Sequence, residues 1–180
     1  MPHPILWTIG HSTRPLDELI TLLREHGITR LVDVRTMPRS SHNPQFNTET
    51  LPASLGAQSI AYTHLAVLGG LRHARKDSMN TGWRNASFRG YADYMLTPEF
   101  EHGLDELIKL AGKETAAIMC AEAVPWRCHR SLIADALMVR GLEVRHIMGP
   151  GKWQPHKLTG FAHVEGLRIT YPFVLESKNQ

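Results

Sequence analysis

The chain predicts an α/β fold: a three-layer sandwich with a mostly parallel sheet and helices on both faces. Three observations carry that reading. Residues 5–9 and 31–35 are β-rich runs joined by a segment with Leu16, Leu19, Ile20 and Leu23 at helical spacing, and strand, helix, strand with short connections marks a parallel pair. Ala116-Ala117-Ile118-Met119 is an apolar run too short for a helix and suited to a strand buried on both faces. Reactive side chains gather just past the ends of these runs, where open α/β sheets bind ligands.

Each element has its own justification. The first strand, Ile5-Leu6-Trp7-Thr8-Ile9, meets Gly10, which lets the backbone turn sharply before His11 and Ser12. The helix after it has Pro15 in its first turn, Asp17 and Glu18 near its positive end, and stops at His26-Gly27. Residues 31–35 form the second strand, ending in Asp33-Val34-Arg35. Residues 36–50 lose all periodicity and are rich in Pro, Ser and Asn; a loop this long in a compact domain tends to carry function, against the plainer reading of a solvated surface loop. A short helix over 49–55 and a third strand over 60–65 follow, then Gly69-Gly70, where the backbone approaches a ligand closely or turns.

Residues 72–87 are polar, with Arg72, Arg75, Lys76 and Arg84, and read first as a solvated face and second as a cationic lid. Phe88, Tyr91, Ala92, Tyr94 and Met95 carry one helix; Thr97-Pro98 caps another on Phe100, Leu104, Leu107, Ile108 and Ala111. These aromatics read as core, with a Tyr91 or Tyr94 hydroxyl at a site as the lesser alternative. After the fourth strand, Leu132, Ile133, Ala136, Leu137 and Val139 mark a helix stopped by Gly141. Residues 143–148 alternate as a strand, Gly149-Pro150-Gly151 breaks it, and residues 167–172 form a late strand.

Composition narrows the class. At 180 residues, 42% hydrophobic and 21% charged, residues 1–180 make one soluble α/β domain, with a core over about 5–148 and a C-terminal extension over 149–180. No stretch nears the roughly 20 apolar residues of a membrane span, and the first residues lack a signal-type pattern, so no membrane partner and a cytoplasmic location are expected. A net charge of +3 favours anionic partners without requiring nucleic acid. No dinucleotide fingerprint, P-loop, metal-ligand spacing or repeat is present. Two cysteines are no disulfide framework, although Cys120 and Cys128 meeting across their loop would make a redox pair.

The densest chemistry lies between residues 120 and 130, which hold Cys120, Glu122, Arg127, Cys128, His129 and Arg130 at a strand end and a helix start. Helix N-termini attract anions and favour thiolates. Cysteines so placed have pKa values of roughly 3.5 to 7.5, which makes Cys128 the candidate nucleophile; the bland alternative is a small residue packed under Trp126 with solvated arginines. The leading reading is an enzyme for a small anionic substrate, phosphate-bearing or nucleotide-like. Its catalytic groups are Cys128 or Cys120 with His129 or Glu122 as acid or base, and its substrate is held by His11, Ser12, Asp33, Arg35, Ser40, His64, Arg127 and Arg130. A second reading is a zinc or iron site using Cys120, Glu122, Cys128 and His11 or His64. A third is a basic nucleic-acid surface of residues 72–84 with Arg39, Trp83 and Trp126. Oligomeric state is open.

Thr8-Ile9-Gly10-His11-Ser12, Asp33-Val34-Arg35 with Pro38 and Ser40, Tyr62 with His64 and Leu68-Gly69-Gly70, and Cys120-Ala121-Glu122 with Pro125 and Cys128-His129-Arg130 occur in one order. Together they resemble the bacterial and archaeal family known as domain of unknown function number 488, over residues 5 to about 148. The resemblance implies a single cytosolic α/β domain and shared residues at these positions; it implies no activity. A second, partial likeness is to rhodanese-type sulfurtransferases and cysteine phosphatases, which also set a Cys and an Arg in an anion loop between strand and helix. The spacing differs here, since Cys120 precedes Arg127 and Cys128 precedes Arg130.

Overall fold

Side-chain alternation along β1 (Ile5–Gly10) sorts the core into two layers. Leu6 packs in one, while Trp7 and Ile9 pack in the other. The same alternation divides β4 (Ala116–Cys120), with Ala116, Ile118 and Cys120 on the first face and Ala117 and Met119 on the second. A strand buried on both faces has no polar side, which is why its sequence reads as a continuous apolar run. The computed structural model describes residues 3–175; Met1, Pro2 and the last five residues of the C-terminal extension lie outside them.

β1, β2 (Arg30–Asp33), β3 (Ala61–His64), β4 and β5 (Glu143–Gly149) are mutually parallel, and β6 (Lys152–Pro155) adds an antiparallel edge, in the order β3-β2-β4-β1-β5-β6. Leu19, Leu22 and Leu23 of α1 (Leu16–Glu25) and Leu51 and Leu55 of α2 (Leu51–Gly56) cover one face. α3 (Ala86–Tyr94), α4 (Pro98–Lys113) and α5 (Arg130–Val139) cover the other. The result is the expected three-layer sandwich. Asn85 caps α3 and Thr97 caps α4, each accepting from backbone N–H groups of the first turn.

Two departures from expectation have simple causes. Residues 34 and 35 lie past β2, so Arg35 is free to fold back onto the strand end. β6 was hidden because all four of its residues are exposed and it ends in proline, giving no apolar alternation to read. β7 (His163–Glu165) and β8 (Arg168–Thr170) pair as a small separate hairpin, and β8 is the expected late strand. No helix of the described residues is long and apolar enough to cross a membrane.

The sheet order decides where a site can form. The chain leaves β1 through α1 toward β2 and leaves β4 through α5 toward β5, in opposite directions from neighbouring strands. The loops after β1 and β4 therefore separate at a topological switch point.

Candidate functional site

At the switch point the two loops first run together. His11 N–H donates to Cys120 O at 2.9 Å and Ser12 N–H to Ala121 O at 3.0 Å, prolonging the β1–β4 ladder. Gly10 permits this, since a Cβ there would overlap the Glu122 carbonyl. Ser12 then adopts φ 47°, a left-handed conformation unusual outside glycine. Beyond it opens a crevice of about 250 Å³ lined by His11, Ser12, Thr13, Arg35, Arg39 and Ser40, among others.

The arginine of this crevice is neutralised from behind. Asp33 is fully buried and takes Arg35 in a two-pronged grip, Nε at 2.9 Å and a terminal nitrogen at 2.7 Å. Tyr62 donates its hydroxyl to the same carboxylate at 2.6 Å; burial first and the carboxylate second push the phenol well above its ordinary pKa. His11 donates from Nδ1 to Ser12 O at 2.8 Å, leaving Nε2 to face an Arg35 nitrogen at 3.3 Å. Burial, partly opposed by the Ser12 bond, lowers the His11 pKa. Ser40 accepts from the N–H groups of His42 and Asn43 and so shapes the loop, while Arg39 pairs with Glu49 at the exposed rim.

Behind the β4 loop lie both thiols. Cys128 Sγ stands 2.7 Å from Cys120 Sγ, and both cysteines are free and buried. Burial opposes ionisation of either. At Cys120 the S–H donated by Cys128 and the Arg130 guanidinium outweigh it and bring the thiol below its ordinary pKa. At Cys128 burial and the donor role raise the pKa well above it. The expectation of a lowered Cys128 pKa is thus overturned: the Arg130 N–H does reach its sulfur at 3.5 Å, but desolvation dominates. His129 lies on the other side of Cys128, Nδ1 3.4 Å from the sulfur, while its Nε2 donates to Val34 O at 2.8 Å. Burial lowers its pKa to about 4, so the ring is neutral at pH 7. Gly70 serves this ring, because a Cβ there would crowd its Nδ1.

Arg130 is fully buried, and among the described residues no carboxylate lies within ion-pair distance of it. One terminal nitrogen reaches Glu122 O at 3.1 Å, the other reaches Thr8 Oγ1 at 3.3 Å, and Nε has no partner. From Thr8 a chain continues inward. Thr8 Oγ1 to His146 Nδ1 is 2.6 Å, His146 Nε2 to His156 Nδ1 is 2.9 Å, and His156 Nε2 to Asp135 Oδ1 is 2.7 Å. A carboxylate only accepts and Arg only donates, so the direction is set: Arg130 to Thr8, Thr8 to His146, His146 to His156, His156 to Asp135. Tyr171 donates to the other Asp135 oxygen at 2.8 Å. Burial, with His156 and Arg130 nearby, lowers the His146 pKa to about 3. The string resembles a catalytic triad, but Thr8 is fully buried and ends against a guanidinium rather than facing a substrate.

The expected site residues therefore divide. His11, Ser12, Arg35 and Ser40 line the crevice; Cys120, Cys128, His129 and Arg130 form the buried cluster beside it. Asp33 and His64 hold Arg35 from behind, His64 through Nε2 to its carbonyl at 2.7 Å. Glu122 contributes its carbonyl while the residue itself is exposed, and Arg127 is exposed on the same loop. A shared metal does not fit: among the described residues no three His, Cys, Asp or Glu side chains are grouped to hold one. The cationic stretch is largely self-occupied, Arg72 lying over the Tyr94 ring at 3.7 Å and Arg75 pairing with Asp77. The Tyr91 and Tyr94 hydroxyls donate to Leu68 O and Val67 O rather than entering the site.

The residues missed were Thr8, Asp135, His146 and His156. Asp135 sits between Leu132 and Ala136 on the buried part of α5, and His146 on a buried position of β5. A polar residue at a core-facing position is the signal that would have found them.

Fold and site together define a class: an α/β protein with a thiol pair and a carboxylate-free guanidinium under the switch-point loop of a parallel sheet. The chain belongs to the family described as Domain of unknown function DUF488, whose model matches residues 15–137. That match takes in Asp33, Arg35 and the 120–130 cluster, and leaves out Gly10-His11-Ser12, His146 and His156. No curated protein and no solved structure matches the chain.

Proposed function

We propose that the protein is a thiol-dependent enzyme, a hydrolase or transferase, acting on a small anionic substrate held in the switch-point crevice. The observation that carries the reading is Arg130: a fully buried guanidinium with no carboxylate partner among the described residues, beside a thiol whose ionisation would supply the missing negative charge. Cys120 is the nucleophile, the second of the two cysteines expected for that role. Cys128 donates its S–H to the Cys120 sulfur and so supports its thiolate, while the neutral His129 ring stands beside Cys128 with Nδ1 3.4 Å from the sulfur. Ser12 and Thr13 offer hydroxyl donors and Arg39 a cationic one to the anion, with Arg35 holding the crevice wall. Ala121 borders the crevice one residue after Cys120, so the 121–127 loop must lift for the sulfur to reach a bound group. Two free thiols in contact also favour a reducing, cytoplasmic compartment.

The test is site-assigned alkylation against pH. Cys120 should react first and below the ordinary thiol range, inorganic phosphate should slow it, and Arg130→Met should move its profile upward by about one pH unit or more. Equal, sluggish reaction of both thiols, unaffected by Arg130→Met, would sink the proposal.

The 2.7 Å contact between the sulfurs favours a second reading, a dithiol redox couple. Cys120 thiolate would attack oxidised glutathione and release one glutathione thiolate; Cys128 would then attack the mixed disulfide and release the second. Loss of two hydrogens in mass, reversed by a dithiol and absent in Cys128→Ser, would favour it; a stable mixed disulfide in the wild-type chain would count against it.

A further inference from the structure

A larger cavity than the switch-point crevice lies on the other side of the 121–127 loop, and no step above uses it. It holds about 640 Å³, within the range of roughly 300 to 1,000 Å³ typical of small-molecule sites. Its walls come from the Pro125-Trp126 turn, the start of α5, the β5–β6 hairpin and the segment after it. We propose that this cavity binds a planar heteroaromatic anion of the size of a nucleoside monophosphate.

The lining sets the ligand class. Two indoles border it, Trp83 and Trp126, and every heteroaromatic base offers them a face to stack on. Trp83 is fixed before any ligand arrives, stacked on Phe88 at 4.9 Å and edge-on to Phe161 at 4.8 Å, so ordering it on binding costs little. Among the described residues Lys157 is the one of permanent charge in the lining, and the Asp135 carboxylate behind it is covered by His156, Thr159 and Tyr171, so the cavity favours an anion. Gln154 and Ser131 add polar groups able to donate or accept.

The histidines beside it give a wall rather than a second charge. Both ring nitrogens of His146 and of His156 are engaged along the chain to Asp135, which holds the proton on each ring in place. They present ring surface to the cavity without competing for the ligand's hydrogen bonds. His146, Gln154, His156 and Lys157 all lie beyond residue 137, outside the family match, so this cavity can distinguish the chain within its family. Enclosure by a loop, a helix start and a hairpin suits a single nucleotide better than a strand.

The proposal is tested on the full chain by calorimetric titration with the four ribonucleoside monophosphates, each nucleoside alone, inorganic phosphate and a short single-stranded oligonucleotide. At least one monophosphate should bind saturably, one per chain, and about tenfold or more tighter than its nucleoside or phosphate. Lys157→Ala should weaken the monophosphate at least tenfold and leave the nucleoside unchanged; Trp126→Ala should weaken both. Both positions are exposed, so neither variant threatens the fold. Cys120→Ser and Arg39→Ala should bind as the wild type does, which separates this cavity from the thiol site. No saturable binding, loss through Arg39→Ala in place of Lys157→Ala, or an oligonucleotide that binds more tightly with steep salt dependence would each overturn it.

Discussion

Arg35 and Arg130 are both buried at the carboxyl edge of the sheet, and only Arg35 has a carboxylate beside it. Asp33 cancels the Arg35 charge at 2.7 Å, so that guanidinium is chiefly a strut that holds the crevice wall. Arg130 reaches the buried carboxylate of Asp135 only through Thr8, His146 and His156. Hydrogen bonds satisfy some of its N–H groups but do not cancel its charge. A buried cation without an anion is costly. A fold that keeps one has placed it where something negative forms or arrives, and under the proposed function that is the Cys120 thiolate. The same residue type is thus paired on one side of the switch point and without a carboxylate among the described residues on the other.

The sharpest way to break this comparison is to remove the carboxylate. Asp33→Ala strands Arg35 and the Tyr62 hydroxyl together and should cost about 3 to 5 kcal/mol in urea unfolding. Arg130→Met removes a guanidinium without a carboxylate partner along with its hydrogen bonds, and the thiol beside it is free to take up a proton, so it should cost less than about 2 kcal/mol. Equal losses would mean that Arg130 is paired in a way its surroundings do not reveal.

The histidine chain has a pH signature. His146 is neutral in the fold down to about pH 3, whereas an unfolded histidine takes up a proton near 6.5. Between those values the unfolded state binds more protons, so stability must fall as the pH falls. The groups facing the ring are Thr8 from β1, Arg130 from α5 and His156 from beyond β6. At pH 5 the effect of His146 alone is about 2 kcal/mol. His129, held to about 4 by burial, adds a similar slope. His146→Gln should lower stability at pH 7 yet flatten the decline between pH 6.5 and 5, as measured by unfolding at a series of pH values. An unchanged slope would show that the His146 ring is protonated in the folded protein.

The difference between the two arginines was only half legible in the sequence. Local patterns exposed β1, β2, β4 and α5, and with them the presence of Cys120, Cys128 and Arg130 at one strand end. They could not separate the roles of Cys120 and Cys128, because helix-start geometry argues for Cys128 as thiolate, whereas burial disfavours both and the S–H that Cys128 donates favours Cys120. Asp33 and Arg35 read as two ligand-binding groups, since nothing in their spacing says that the chain leaves β2 early enough for them to pair. The Thr8–His146 contact joins residues 138 apart in sequence, and periodicity carries no information at that range. The segment after Met148 hid its part for a related reason: its contributions are single polar groups, His156 and Tyr171, that close a network begun elsewhere.

A smaller effect tests whether charge at the switch point acts on the thiol or on the substrate. Arg130→Met should lower the neutral-pH alkylation rate of Cys120 about tenfold, equivalent to about 1.4 kcal/mol, by withdrawing support from the thiolate. Arg39→Ala should leave that rate unchanged, because Arg39 belongs to the exposed rim and pairs with Glu49 there. Its stability cost should stay within about 0.5 kcal/mol, as for most exposed ion pairs. What Arg39→Ala should change is the protection of Cys120 by inorganic phosphate, requiring several-fold more phosphate for the same slowing. Protection that survives the substitution would place the anion deeper, against Arg35 and the Ser12 turn, and would make the paired arginine the one that meets substrate.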